Sequence, residues 1–439
     1  MGRTAVELIR ATKKYGTVKA LTEVGLLTTL DAAIKGSHVT GPRKRIHLCE
    51  SSAILIPVVT GATTGCRARA GRKECRSLIA IARKVLWVAA TPLPASLRPR
   101  VQIPEVHPWD TCRMQYRRLG KTGIEASAIG FGAWAIGADW GPVDDEESLR
   151  ALHAAADAGV TFFDTADVYG DGHSERVIAR FRKERREPIV VATKIGRRAP
   201  LDLNEYTPEN LAAWIDRSRA NLEVDRLDLV QLHCLPTDIY YRPEIFAAMD
   251  GFVSDGRIAS YGVSVERVEE GLKAIEYPNV GAVQIIFNIF RQRPAERFLS
   301  AARDRDVGVI ARVPLASGLL TGKFSRHTQF PANDHRNFNR HGESFDVGET
   351  FAGLDYDTAL EVIEELRPLV PSGTTMAQMA LRWILMNNGV STVIPGAKTS
   401  EQARANAAAA DLPPLPASTM ERITTLYREQ VARLVHQRW

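Results

Sequence analysis

Apolar and polar positions from residue 114 onward alternate between two repeating patterns. Short apolar runs, typical of buried strands, fall near residues 126–132, 160–164, 189–194, 227–233, 259–264, 282–288, 307–313 and 390–395. Helical spacing lies between them, at 146–158, 174–182, 208–222, 243–254, 268–275, 295–303 and, over a longer region, 358–386. Several helical stretches begin with residues that favour helix starts, as at Asp144-Asp145, Thr207-Pro208 and Thr399-Ser400.

This alternation predicts an α/β fold, a parallel (β/α)8 TIM barrel over residues 114–439. Turn residues between apolar positions in 116–124 predict an N-terminal β-hairpin in front of the barrel. A doubly wound open sheet is the competing architecture. It is disfavoured because Gly130-Phe131-Gly132-Ala133-Trp134 places a tryptophan where a dinucleotide-binding turn needs small residues.

Composition separates the first 113 residues from the rest. The chain has 439 residues, of which 45% are hydrophobic, and a formal net charge of +6. Residues 1–113 hold 19 Lys/Arg against 7 Asp/Glu, a surplus of +12, so residues 114–439 carry −6. We predict that residues 1–113 form an irregular basic extension. Three explanations of it stay open: a start assigned upstream of Met114, a disordered basic arm, or a targeting or nucleic-acid-binding segment.

Other segments narrow the class of protein further. The opening residues, with Lys13-Lys14-Tyr15-Gly16, weakly resemble the start of an ATP-binding-cassette transporter ATPase, but no Gly-x-x-x-x-Gly-Lys-Ser/Thr loop follows to cradle phosphate. No two cysteines form a Cys-x-x-Cys pair, so neither a zinc site nor a disulfide framework is predicted. No run approaches the roughly 18 apolar residues of a membrane span, and the start lacks a signal peptide's order. We therefore expect a cytoplasmic protein.

Four ionisable residues follow the ends of consecutive predicted strands. One apolar run ends at Asp164, with Tyr169 on the loop beyond it, and the next two runs end in Lys194 and His233. In a (β/α)8 barrel, chemistry collects where strands end and βα loops begin. We therefore predict that these four side chains share one site.

These residue types together suit the protonation of an oxyanion as it forms. The ordinary pKa of a tyrosine is about 10, and a neighbouring ammonium such as Lys194 lowers it by stabilising the phenolate. Asp164 would keep Lys194 charged, and a neutral His233 would hydrogen-bond a carbonyl oxygen. Taken singly, each residue also fits a structural role, as a helix cap, a rim salt bridge, a packed aromatic or a buried imidazole. Their shared placement favours carbonyl reduction.

Several motifs resemble the aldo-keto reductase superfamily across residues 114–439. They include Arg118-Leu119-Gly120-Lys121-Thr122-Gly123, Phe163-Asp164-Thr165-Ala166, Leu229-Val230-Gln231-Leu232-His233, Pro314-Leu315-Ala316-Ser317-Gly318 and Ile394-Pro395-Gly396-Ala397-Lys398. The resemblance implies a barrel enzyme with a nicotinamide cofactor and no metal. It also implies that Tyr169 is the general acid, supported by Asp164, Lys194 and His233.

The same resemblance implies a set of cofactor contacts. Ser264 and Gln284 correspond to the pair that hydrogen-bonds the nicotinamide carboxamide. The pyrophosphate clamp and the adenosine end are implied at Leu315, Ser317, Gly318, Lys323, Gly396, Lys398, Gln402 and Asn406. Lys398 corresponds to the residue that faces the ribose 2′-phosphate, which favours NADPH over NADH.

Two positions depart from the family's pattern. Val265 follows Gly-Val-Ser where asparagine is common, and Arg312 stands where an aromatic side chain often stacks beneath the nicotinamide. A guanidinium plane can also stack. Contact of Arg312 with the carboxamide or with a substrate anion stays open beside that interpretation.

The substrate pocket is predicted from residues expected at the barrel mouth. Trp134, Trp140 and Tyr240 would line it beside His233, which suits an apolar to mildly polar carbonyl compound. Residues 325–356 lack periodicity, and a loop of that length is usually a lid or a disordered excursion. Its histidines lack ligand spacing, so no metal site is predicted.

Three functional hypotheses follow. The first is an NADPH-dependent reductase of small aldehydes and ketones, with no nucleic-acid or membrane partner. The second is an NADPH-binding sensor subunit that works through a partner without significant turnover. The third is an NADP-dependent sugar or polyol dehydrogenase. Neither the physiological substrate nor the oligomeric state is predicted.

Overall fold

A computed structural model of the protein describes residues 114–137, 140–141 and 144–439. The basic extension predicted over residues 1–113, and the stretch in it that resembles an ATPase, lie outside the described residues. All the residues predicted to form the functional site lie within them.

A two-stranded antiparallel hairpin precedes an eight-stranded parallel sheet. The hairpin strands are β1 (Tyr116–Arg118) and β2 (Glu125–Ser127), with Arg117 opposite Ala126. The sheet strands β3 to β10 are Phe131–Gly132, Phe162–Asp164, Val190–Ile195, Leu229–His233, Tyr261–Val265, Ala282–Ile286, Gly308–Arg312 and Thr392–Val393. Their spatial order follows the chain, from β3 at one side to β10 at the other.

The sheet closes on itself. Parallel bridges join Ile129 to Val393 and Gly132 to Gly396, and these connect the chain around β3 with the chain around β10. Every paired neighbour within the sheet is parallel. The predicted (β/α)8 barrel is therefore confirmed, and the open-sheet alternative is wrong.

Helices follow the strands and cover the barrel. In chain order, α1 to α13 are Trp134–Gly137, Asp145–Asp157, His173–Lys183, Pro208–Leu222, Pro243–Ser254, Val268–Ala274, Phe298–Asp304, His335–Phe338, Tyr356–Leu366, Met376–Leu385, Ser400–Ala407, Ala417–Leu426 and Ala432–Val435. The predicted helix starts hold for α2, α4 and α11, because the side chains of Asp144, Thr207 and Thr399 accept hydrogen bonds from backbone amides of the first turn.

The hairpin closes the end of the barrel opposite the predicted site. The Lys121 amide donates to the Asp306 carbonyl at 2.7 Å, just before β9 begins. Leu119 is fully buried in a cluster with Ala126 of β2 and with residues from the barrel strands and their ends: Phe162, Ala192, Leu229, Ala282, Ile310 and Ile394. This end is filled with apolar side chains, so polar chemistry is left to the opposite end.

Three predicted boundaries differ from the structure. The apolar run 126–132 divides between β2 and β3. The last hairpin strand and the first barrel strand follow each other so closely that few polar residues separate them. The region 358–386 forms two helices, α9 and α10. Residues 325–356 contain α8 and short 3-10 turns at Val347–Glu349 and Phe351–Gly353.

Candidate active site

Consecutive strand ends bring the four predicted residues together. Asp164 ends β4, Lys194 lies near the end of β5, and His233 ends β6. Tyr169 lies on the loop after β4, where close backbone contact with α1 fixes its position. A Cβ added to Gly137 would lie 2.5 Å from the Cβ of Tyr169, so a glycine is required there.

Lys194 is the centre of this group. Its Nζ donates to Asp164 Oδ2 at 2.6 Å, to the Thr165 carbonyl at 2.7 Å and to Tyr169 Oη at 3.2 Å. Burial alone would lower the pKa of Lys194, but the Asp164 carboxylate and the Tyr169 oxygen together outweigh it, and the pKa is raised. The side chain is therefore a charged ammonium whose three protons are all donated.

Asp164 is itself held from the other side. Its Oδ1 accepts from Gln284 Nε2 at 2.7 Å and from Gln231 Nε2 at 3.2 Å, and Gln284 Nε2 also lies 3.0 Å from Gln231 Oε1. All three side chains are buried in the barrel. Gln284, implied as a nicotinamide contact, is thus a positioning partner of Asp164 in this structure, and Gln231 is a residue that sequence reasoning missed.

Tyr169 is protonated at neutral pH. Burial raises its pKa, Lys194 lowers it, and Asp164 and Glu349 raise it again, so the pKa lies above the ordinary value. The sequence predicts the lowering by Lys194 but not the larger effect of burial. Because Lys194 donates to the phenol oxygen, the O–H proton of Tyr169 is left for another acceptor.

His233 is a neutral imidazole beside the phenol. Burial lowers its pKa well below the ordinary value, and the positive charges of Arg197, Lys194 and Arg312 lower it further. The ring centroid lies 6.0 Å from that of Tyr169 in an edge-to-face arrangement. Among the described residues, its Nδ1 has no hydrogen-bond partner. A neutral ring can donate one hydrogen bond to a carbonyl oxygen.

Aromatic side chains cover the phenol on its outer side. The Trp134 ring stacks on Tyr169 with centroids 6.1 Å apart, and Trp140 meets Trp134 edge-on at 5.6 Å. His335, from α8, packs against both tryptophans at 4.7 and 4.4 Å. The predicted tryptophans therefore lie beside the site. Tyr240 does not: it is fully buried, and its hydroxyl donates to the Ser264 carbonyl at 3.4 Å.

The segment 325–356 lies across the mouth of the barrel. Ser317 Oγ donates to the Glu349 carbonyl at 3.0 Å and accepts from the Phe351 amide at 3.2 Å. Asp334 caps α8, and the guanidinium of Arg336 lies 4.7 Å from the Trp140 ring centroid. The segment is thus packed against the predicted site as a lid would be.

The remaining predicted cofactor residues follow β9 and β10, except Ser264, which lies near the end of β7. Ser317 and Gly318 have positive φ angles of 54° and 97°, and Leu315 opens this loop. The amide of Lys398 donates to Gln402 Oε1 at 2.8 Å, and Asn406 Nδ2 donates to the Gly396 carbonyl at 3.1 Å. Lys398 Nζ donates to the Trp140 carbonyl, and Lys323 is exposed. Ser264 is fully buried near Cys234, with Oγ and Sγ 3.5 Å apart.

Arg312 is not an isolated cation. Its Nη2 lies 2.8 Å from Glu266 Oε2 and its Nη1 lies 3.5 Å from Glu349 Oε1. Arg197, which follows β5, also pairs with Glu349 at 3.2 Å. Sequence reasoning missed Arg197, Glu266 and Glu349. Glu266 directly follows β7 and Arg197 lies two residues after β5, so both could have been found by that placement. Glu349 lies in the non-periodic segment.

Comparison with known proteins agrees with this geometry. The model of the aldo/keto reductase family matches residues 128–428. The chain belongs to the aldo-keto reductase family. It is therefore an NAD(P)-dependent oxidoreductase of the kind that reduces carbonyl groups.

Named relatives span nearly the same barrel. The aldo-keto reductase YhdN of Bacillus subtilis is 30% identical over 303 residues, which is 66% of this chain and 87% of the relative. A probable voltage-gated potassium channel subunit beta of Arabidopsis thaliana is 30% identical over 319 residues, 69% of this chain and 93% of that protein. The solved glycerol dehydrogenase of Gluconobacter oxydans matches with a TM-score of 0.59 at 27% identity, covering 73% of this chain and 96% of that one.

Within the part of the chain that the structure describes, no helix is long and apolar enough to cross a membrane.

Proposed function

We propose that this aldo-keto reductase reduces small aldehydes and ketones to alcohols with NADPH, and that Tyr169 is the proton donor. The observation that carries the proposal is the hydrogen bond from Lys194 Nζ to Tyr169 Oη at 3.2 Å. A lysine that donates to the phenol oxygen leaves the phenol proton for the substrate and stabilises the phenolate that remains.

Each of the four residues then has one task. Tyr169 gives its proton to the carbonyl oxygen as negative charge develops there. Lys194 stabilises the phenolate so formed, while Asp164 keeps Lys194 charged and in place at 2.6 Å. His233, neutral in this site, orients the same carbonyl oxygen with a hydrogen bond. After product leaves, a proton from solvent restores the phenol.

The residues at the ends of β9 and β10 fit a phosphorylated dinucleotide. A Cβ added to the exposed Gly396 would meet only the Gly132 carbonyl, at 3.5 Å, so the surface beside Lys398 is open. Lys398 supplies positive charge for a 2′-phosphate, and Lys323, Ser317 and Gly318 supply charge and close backbone approach for a pyrophosphate. Leu315, Gln402 and Asn406 would complete the binding groove. Ser264 would hydrogen-bond the nicotinamide carboxamide, and Arg312 would contact the same end of the cofactor. When bound there, NADPH supplies the hydride.

Two other activities keep support from the relatives. One relative is named a probable channel subunit beta, which suits the second hypothesis, in which the protein acts on a partner. One solved structure is that of a glycerol dehydrogenase, which suits the third hypothesis, in which the protein oxidises polyols. The intact Asp164, Tyr169, Lys194 and His233 geometry supports catalysis in either direction and argues against the sensor.

A carbonyl panel tests the three functions. Purified protein is mixed with NADPH or NADH and with aldehydes, ketones and, at alkaline pH with NADP, glycerol and sugars. The proposal predicts oxidation of NADPH by aldehydes with higher kcat/KM than polyol oxidation. Tight NADPH binding without turnover would support the sensor, and faster polyol oxidation would support the dehydrogenase.

A further inference from the structure

A buried group of four charged side chains adjoins the catalytic residues. We call it the arginine–glutamate cluster: Arg197, Glu266, Arg312 and Glu349. Arg197 and Glu266 follow β5 and β7, and Arg312 ends β9, so the barrel itself positions these three. Glu349 comes from the segment 325–356 that lies across the mouth.

The two carboxylates bridge the two guanidiniums. Glu349 Oε1 lies 3.2 Å from Arg197 Nη1 and 3.5 Å from Arg312 Nη1. Glu266 lies 2.8 Å from Arg312 and 3.7 Å from Arg197. Glu349 is thus the nearer partner of Arg197, and Glu266 is the nearer partner of Arg312.

Arg197 is the member of the cluster that faces the mouth most openly. Its side chain is 19% exposed, against 9% for Arg312 and 7% for Glu349. It also acts on the reacting region, because Arg197 is the charge that most strongly lowers the pKa of His233. Without a carboxylate beside it, Arg197 would offer a cation to a substrate anion close to the catalytic residues.

Glu349 stays ionised in this cluster. Burial alone would raise its pKa, but Arg197 and Arg312 lower it below the ordinary value. The pKa of Glu266 is instead raised, chiefly by burial. Glu349 is also the carboxylate nearer to Arg197, at 3.2 Å against 3.7 Å for Glu266, so it supplies the closest negative charge to that guanidinium.

The position of Glu349 is fixed by its surroundings. Ser317 Oγ donates to its carbonyl oxygen, and Asp346, three residues earlier, accepts from the Trp439 indole Nε1 at 2.9 Å. The carboxylate itself is buried and accepts from Arg197 Nη1 at 3.2 Å, so it is held beside Arg197 while the segment is packed. An anionic substrate group that reached Arg197 would meet a charge of its own sign.

We propose that Glu349 is a specificity-determining residue, which neutralises Arg197 at the mouth and makes the enzyme select uncharged carbonyl compounds over anionic ones. This inference rests on the proposed carbonyl reduction and adds the class of substrate. It assigns no part of the chemical step to Glu349.

The test compares two aldehydes of similar size that differ in charge. For the full chain and for Glu349→Gln, kcat/KM with NADPH is measured for 4-nitrobenzaldehyde and 4-carboxybenzaldehyde. Removing one negative charge from a partly buried site should raise the carboxy-to-nitro ratio by at least roughly tenfold. The gain should shrink as salt is raised, because ions screen the remaining charge.

Two further variants separate charge from structure. Glu343→Gln removes an exposed carboxylate from the same segment and should leave the ratio unchanged. Arg197→Gln combined with Glu349→Gln removes both charges and should return the ratio to that of the parent. Disturbed packing alone would lower both rates together and would not move the ratio.

The outcomes distinguish this inference from the function on which it rests. No oxidation of NADPH by either aldehyde in the parent enzyme refutes the proposed function and the inference with it. Turnover by the parent with an unchanged ratio in Glu349→Gln refutes the inference alone. A raised ratio that persists in the double variant also overturns it, because Arg197 would then not be the attracting charge.

Discussion

Replacing Lys194 with methionine tests how much the ammonium contributes to proton transfer. Nζ lies 3.2 Å from Tyr169 Oη and 2.6 Å from Asp164 Oδ2. At an effective dielectric of about 20, a full negative charge on the phenol oxygen would interact with the ammonium by about 5 kcal/mol. Only part of that charge forms in the transition state. We therefore expect kcat to fall by about 10²- to 10⁴-fold, which is roughly 3 to 5 kcal/mol.

The substitution also leaves Asp164 buried without its cation. Loss of one partner from a buried pair costs about 3 to 5 kcal/mol of stability, so Lys194→Met alone could lose activity by unfolding. The double variant Asp164→Asn with Lys194→Met removes both charges and keeps an amide oxygen that can accept from Gln231 and Gln284. It should recover much of the lost stability while the low kcat remains.

The assay follows NADPH absorbance at 340 nm with a saturating aldehyde. Cofactor affinity is measured by fluorescence titration and stability by thermal unfolding, so that a catalytic loss can be separated from the other two. The reasoning is refuted if the folded double variant binds NADPH normally and keeps kcat within tenfold of the parent.

Two further predictions concern stability and cofactor choice. Burial, followed by the Glu175 carboxylate, raises the pKa of Asp167 to about 7. Between about pH 4 and pH 7 the native protein therefore keeps a proton on Asp167 that the unfolded chain has released. The free energy of unfolding falls as pH rises through this window. Asp167→Asn should therefore raise the free energy of unfolding by up to about 4 kcal/mol at pH 8 and by much less at pH 5. Urea titrations measure both values, and equal gains at the two pH values would contradict this prediction. Lys398→Met should raise the Kd for NADPH about tenfold through loss of a phosphate contact, as measured by fluorescence titration. NADH lacks the 2′-phosphate and is the control, so an equal loss for both cofactors would exclude this role for Lys398.

The candidate catalytic group could be predicted from the sequence because its placement follows from one rule. Asp164, Lys194 and His233 end or nearly end strands whose apolar runs are visible in the sequence, and parallel strands in one barrel bring their carboxyl ends together. The first and last residues of the short strands β3 and β10 are harder to predict, because a strand of two residues shows almost no periodicity.

Contacts made between distant segments could not be predicted in the same way. Glu349 reaches Arg197 across 152 positions, from a segment without a repeating pattern. Tyr240 carries the residue type expected in a substrate pocket, yet the fold turns it into the core. The raised pKa of Tyr169 depends on burial, which a list of neighbouring charges along the sequence does not give.

The central claim is that the Tyr169 hydroxyl protonates the carbonyl oxygen. Tyr169→Phe removes that proton while keeping the ring that stacks near Trp134. Its effect is measured directly by single-turnover oxidation of prebound NADPH with an aldehyde in a stopped-flow instrument. The account predicts that hydride transfer is abolished while the Kd for NADPH stays nearly unchanged. A variant that keeps most of the parent's single-turnover rate would contradict it.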